Sequence, residues 1–179
     1  MMPMALGTEE PVVNDTPRKL LVVEDDPGLQ SQLRWCFEGY EVIVAEDRES
    51  AIAQLRRHEP PVVLQDLGLP PDPEGVEEGL ATLEEILAIA PDTKVIVVTG
   101  HGDQANALRA VGLGAHDFYQ KPVETGTLQL IVGRAYQMYR LEQENNRLLR
   151  VESENTSPLD GIVAASGKML EVCRMVEKV

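Results

Sequence analysis

The chain is built around short apolar runs, each ending in a charged or hydroxyl-bearing side chain. Leu20-Leu21-Val22-Val23 ends in Glu24-Asp25-Asp26, and Val62-Val63-Leu64-Gln65 ends in Asp66. Val95-Ile96-Val97-Val98 ends in Thr99, and Phe118-Tyr119-Gln120 ends in Lys121-Pro122. Between them the spacing turns helical. Asp26-Pro27 supplies an N-cap and a first-turn proline, and Leu29, Leu33 and Phe37 then recur on one helical face. Glu41–Ala45 reads as a further strand, and Asp47 opens a second helix with Ala51, Ile52 and Leu55 inward. The alternation continues with a strand at 62–65, a helix over about 76–89, a strand at 94–98, a helix over about 103–112, a strand at 117–120 and a long last helix from about 124. Five strands interleaved with helices predict a parallel sheet covered on both faces. The carboxyl ends of such strands share one edge, where open α/β sheets bind ligands.

Acids, a hydroxyl and a lysine then converge on one pocket. Clustered carboxylates raise one another's pKa unless a cation offsets their charge, and hard oxygen donors of this kind suit Mg²⁺ bridging to a phosphoryl group. Asp66 is placed to act as the nucleophile that forms an acyl phosphate. Lys121 offers a positive charge and Thr99 a hydroxyl to phosphoryl oxygens. Taken singly, each residue has an ordinary reading as well. Asp66 would cap a turn before Leu67-Gly68, Glu24 and Asp25 would form a solvated acidic turn, Thr99 would end a strand, and Lys121 would be exposed. Only the set, in order and at strand ends, favours the site. Asp26 is better read as an N-cap than as a metal contact. His101 is better read as an exposed loop histidine than as a catalytic group, and Trp35 and Cys36 as helix packing or surface.

The motifs VVEDDP, QDLGLP, VVTG and GAHDFYQKP, in that order, resemble the receiver domain of two-component response regulators over roughly residues 18–140. The resemblance implies a doubly wound, five-stranded parallel α/β sheet of flavodoxin-like order, with an extended C-terminal helix. It implies that Glu24 and Asp25 are the acidic pair, Asp66 the phosphoacceptor, Thr99 the switch hydroxyl and Lys121 the phosphate-pairing lysine. Phe118 falls at the switch-aromatic position, though plain core packing fits it equally. Mg²⁺ would be held by Glu24, Asp25, Asp66 and the Gly68 carbonyl. A sensor histidine kinase would be the phosphoryl donor, and the domain would be regulatory rather than an enzyme, with at most weak autophosphatase activity. Two rivals fare worse. A pseudo-receiver serving only as a dimerisation module should lack an acid or Lys121, and a phosphatase of the haloacid-dehalogenase type needs an acid where Gly68 stands.

Residues 1–17, with four of the prolines and glycines and no periodicity, read as a tail. Residues 18–140 form the receiver, 141–160 a helical extension and linker, and 161–179 the start of a further domain. Ile131, Met138, Leu141, Asn145 and Leu148 step like a short coiled-coil seam and predict a homodimer. The segment Gly161–Ser166 with Met169–Val172 resembles the opening of the AAA+ domain of nitrogen-regulator (NtrC) class activators of sigma-54 RNA polymerase. The chain therefore reads as a piece of a longer regulator. The proline-rich loop Leu67–Gly75 resembles more narrowly the PEP-CTERM-box response regulators. A net charge of −14 argues against DNA contact by this segment, so polymerase and DNA would be reached only through following domains. Cys36 and Cys173 form no metal or disulfide pattern. With no apolar span or signal pattern, a cytoplasmic location is expected.

Overall fold

The computed structural model describes residues 17–100 and 103–155, with side chains as far as 151. Strands and helices alternate as β1 (Arg18–Val23), α1 (Pro27–Cys36), β2 (Tyr40–Ala45), α2 (Arg48–His58), β3 (Val62–Asp66), α3 (Glu77–Ile89), β4 (Lys94–Thr99), α4 (Gln104–Gly112), β5 (Asp117–Gln120) and α5 (Thr125–Asn155). All the pairings are parallel, in the order β2-β1-β3-β4-β5. Val23 pairs with Gln65, Asp66 with Val98, and Thr99 with Gln120. That register brings the carboxyl ends of β1, β3, β4 and β5 to one edge.

Alternate residues of the central strands point to opposite faces, and both faces are covered. Leu21, Val23, Val63, Val95 and Val97 pack with Leu55 of α2, Leu83 and Ile86 of α3 and Ala110 of α4. Leu20, Val22, Leu64, Ile96 and Val98 pack with Leu33 of α1, with Phe37, and with Leu128, Val132 and Ala135 of α5. This double burial explains why the strands read as unbroken apolar runs. Each of the wholly buried leucines contributes about 1.5–3 kcal/mol relative to exposure.

Local chemistry fixes where the helices begin. Asp26 Oδ1 accepts the Leu29 N–H at 2.8 Å, confirming the N-cap. Asp47 and Ser50 form a reciprocal capping box on α2. The Tyr119 hydroxyl accepts the Glu124 N–H at 2.7 Å and so anchors the entry to α5. Trp35 lies on the solvent side of α1, 76% exposed, whereas Cys36 is buried with its thiol on Thr125 Oγ1. The compact unit that holds the sheet extends to Tyr136, within α5. A second unit starts at Gln137, and its described part is helix as far as Asn155, within the 141–160 stretch read as a helical extension and linker. Ile131 belongs to the first unit and packs against the core, so the predicted seam begins only at Met138. The segments 1–16 and 161–179 lie outside the described residues.

Candidate functional site

The parallel ladder between β1 and β2 continues one residue past β1, where the Glu24 N–H donates to the Ala45 carbonyl at 3.0 Å. This contact draws Glu24 inward until only 3% of it is exposed. Its Oε1 accepts the Asp26 N–H at 3.2 Å, and its carbonyl accepts Gln30 Nε2 at 2.6 Å. Asp66 closes β3 and is buried. The Lys121 N–H donates to the Thr99 carbonyl at 2.8 Å, so the edge pairing of β4 with β5 delivers the lysine to the same place.

Lys121 Nζ donates to Asp66 Oδ2 at 2.8 Å and lies 3.5 Å from Glu24 Oε2. The Gly68 N–H donates to the other Asp66 oxygen at 3.2 Å. Glu24, Asp25 and Asp66 each offer a carboxylate oxygen, and the three lie within 4.8 Å of one another. Thr99 is 1% exposed, and its hydroxyl finds no partner among the described residues. Burial first, and the Asp66 charge second, push the Glu24 carboxyl up to about 7, against the opposing pull of Lys121 and the Asp26 amide. Burial pulls the Lys121 ammonium down, but the Asp66 hydrogen bond and charge, with Glu24, outweigh it and hold it above the ordinary lysine value.

The three-carboxylate cluster thus holds one ammonium, which reaches Asp66 and Glu24. The excess negative charge in a largely buried cleft is what a divalent cation would offset, and the donors are all hard oxygens, which fit Mg²⁺. The orphaned Thr99 hydroxyl fits a second oxygen-bearing group, because buried polar groups normally have a partner. The acids, Thr99 and Lys121 that the sequence singles out therefore meet at one edge of the sheet. Gly68 joins them through its N–H. Phe118 does not belong to the core: it is 36% exposed, while Tyr119 beside it points inward. The core reading of Phe118 is corrected by strand parity. His101 lies outside the described residues.

Sequence reasoning missed Gln65 and Gly79. Gln65 Nε2 donates to the Gly79 carbonyl at 2.5 Å in the interior, behind Asp66. A single glutamine inside an apolar strand was the available signal. A groove of about 590 Å³ between α2 and α3, lined by Arg48, Ile52, Arg56, Pro70 and Glu85, holds none of the acidic cluster. Arg48 is there engaged by Glu85 at 2.7 Å.

Sheet order, strand-end acids and paired lysine define a receiver. Residues 20–132 match the response regulator receiver domain family. The chain belongs to that family and is a receiver domain of the two-component response regulators. It is 34% identical over 133 residues to the C4-dicarboxylate transport transcriptional regulatory protein DctD of Rhizobium meliloti, covering 73% of this chain and 28% of that one. It is 29% identical over 140 residues to the nitrogen assimilation regulatory protein NtrX of Azorhizobium caulinodans, covering 76% and 30%. The crystal structure of the receiver domain of NtrX from Brucella abortus superposes with a TM-score of 0.61 at 32% identity, covering 66% of this chain and 98% of that one. The chain spans about 30% of the length of the curated relatives it matches. No helix among the described residues is long and apolar enough to cross a membrane.

Proposed function

We propose that Asp66 accepts a phosphoryl group from a sensor histidine kinase and that the change of charge is read by a transcription-activating output. The observation that carries this reading is the Asp66 carboxylate, buried at a strand end and held on one oxygen by Lys121 and on the other by the Gly68 N–H. An Asp66 oxygen attacks phosphorus and forms a P–O bond, while the P–N bond to the kinase histidine breaks and the imidazole keeps the electron pair. Lys121 then pairs with a phosphoryl oxygen, and the buried Thr99 hydroxyl gains the acceptor it lacks. Glu24, Asp25, Asp66 and the Gly68 carbonyl are the groups that would hold Mg²⁺, which supplies charge neutralisation for the incoming phosphoryl oxygens. Thr99 and the half-exposed Phe118 form the two-state element that conveys the local charge change.

The relatives that cover the receiver support a place among sigma-54 activators of the NtrC class, with polymerase and DNA reached through other domains. Cytoplasmic placement follows from that role. The pseudo-receiver alternative has no observation in its favour, since every acid and Lys121 is present and they meet. Intact-mass measurement after incubation with acetyl phosphate tests the assignment. A phosphoryl adduct that needs Mg²⁺ and is absent from Asp66→Ala is expected, and an equal adduct on the alanine variant overturns it.

A further inference from the structure

Two glycines near Asp66 mark places where main chain meets main chain. A Cβ on Gly79, in the first turn of α3, would lie 2.3 Å from the Leu67 carbonyl oxygen and 2.5 Å from the Leu67 Cα. A Cβ on Gly68 would lie 2.4 Å from the Pro73 carbonyl oxygen. Backbone cannot swing aside as a side-chain tip can, so both positions require glycine. The Leu67-Gly68 backbone is therefore gripped twice, by α3 and by the returning loop.

Each grip is fastened. The Gln65 amide holds the Gly79 carbonyl, and Leu67 and Leu69 are buried on either side of Gly68. In the loop the Asp72 N–H donates to the Leu69 carbonyl at 3.2 Å, and the Gly75 N–H donates to the Asp72 carbonyl at 3.1 Å and to its Oδ1 at 3.2 Å. Pro70, Pro71 and Pro73 restrict φ at three positions of this double turn. A loop that only joined β3 to α3 would need no contact with Gly68. The gripped residue is the one whose N–H binds the Asp66 carboxylate.

The geometry points to Pro73 as a positioning residue that, opposite the Gln65–Gly79 contact, holds the Gly68 peptide against Asp66, so that the 69–75 loop sets Mg²⁺ affinity and the rate of phosphorylation. This rests on the phosphoacceptor reading above. The flank of Asp66 is then made of main chain, with no side chain at position 68.

The full chain tests this with Pro73→Gly, Gly68→Ala, excision of residues 72–74, and Gly68→Ala combined with the excision. Because misplacement of a binding group by a fraction of an ångström has large effects, Pro73→Gly should raise the Mg²⁺ concentration for half-maximal thermal stabilisation about fivefold. It should slow adduct formation from acetyl phosphate similarly, with the metal-free urea midpoint lowered only by the added freedom of the unfolded chain. Gly68→Ala should destabilise the chain with the native loop and not with the excised one, since the excision removes the carbonyl it strikes. An unchanged Mg²⁺ midpoint and adduct rate in Pro73→Gly overturn the proposal, as does an equal Gly68→Ala penalty in both loops. If the wild type takes up no phosphate but the Mg²⁺ midpoints still separate, the phosphoacceptor reading falls and the positioning role of Pro73 stands.

Discussion

Glu24 carries the electrostatic strain of the cluster, because it is the most buried of the three acids and faces Asp66 across a single shared lysine. Its folded pKa of about 7 lies above the unfolded carboxylate value near 4.5. A raised acid binds its proton more tightly in the folded state, so its contribution is fully present below pH 4.5 and is lost as pH rises through 7. The difference corresponds to about 3 kcal/mol. In EDTA, Glu24→Gln should match the wild type near pH 4.5 and exceed it by up to about 3 kcal/mol at pH 8 in urea denaturation; a constant difference across that range would refute the shift. Thr99 poses the opposite case, a buried hydroxyl with no partner among the described residues. Since an unmet buried polar group costs about 1–3 kcal/mol, Thr99→Val should stabilise the unphosphorylated protein by about 1 kcal/mol. The same variant should weaken the effect of phosphorylation on the spectrum of nearby amides, and unaltered stability would show that Thr99 has a partner. These residues were legible because a strand end is fixed where an apolar run stops. The isolation of Thr99 and the inward reach of Gln65 were not, since both depend on what packs across from them.

At the scale of elements, strands and helix starts were legible where local chemistry decides them. Asp26 and Asp47 cap their helices through their own side chains, and short β-branched apolar runs bounded by turn signals fit doubly covered strands. Parity sends Phe118 outward and Tyr119 inward, yet a four-residue edge strand carries too little alternation for a run of residues to reveal it. The seating of α3 was hidden for another reason: a glycine at its third residue looks like a weak helix former until the Leu67 backbone is seen against it. Gly79→Ala should therefore lose about 3 kcal/mol or more, as overpacking against rigid backbone does. Gly133 in α5 is the control, because a Cβ there meets nothing within 4 Å. Gly133→Ala should gain about 0.5–1 kcal/mol by reducing the freedom of the unfolded chain. Urea midpoints of the two variants that moved in the same direction would contradict the close approach.

At the scale of the whole molecule, α5 runs on past Tyr136, where the first unit ends, and carries exposed apolar side chains there. Met138, Leu141 and Leu148 are 44%, 64% and 59% exposed, in a run where the sequence steps at coiled-coil spacing through Asn145. An apolar seam left in water favours association, and a second copy of the same helix matches it position for position. A buried asparagine at one seam position would fix the register at some cost in stability. A parallel arrangement would deliver whatever follows the helix side by side. With a net charge of −14, the two copies also repel, so the dimer should strengthen as added salt screens them. Replacing Leu141 and Leu148 together by glutamate places four acids on the seam of a dimer and should yield monomers by light scattering. Those monomers should still take up phosphate at Asp66, because the acidic cleft lies at the sheet edge within residues 18–136 and uses neither leucine. A wild type that stays monomeric at high concentration, with and without a beryllofluoride phosphate mimic, would show that the extended helix carries no pairing function of its own. A double variant that stays dimeric would instead move the contact to another face of the receiver.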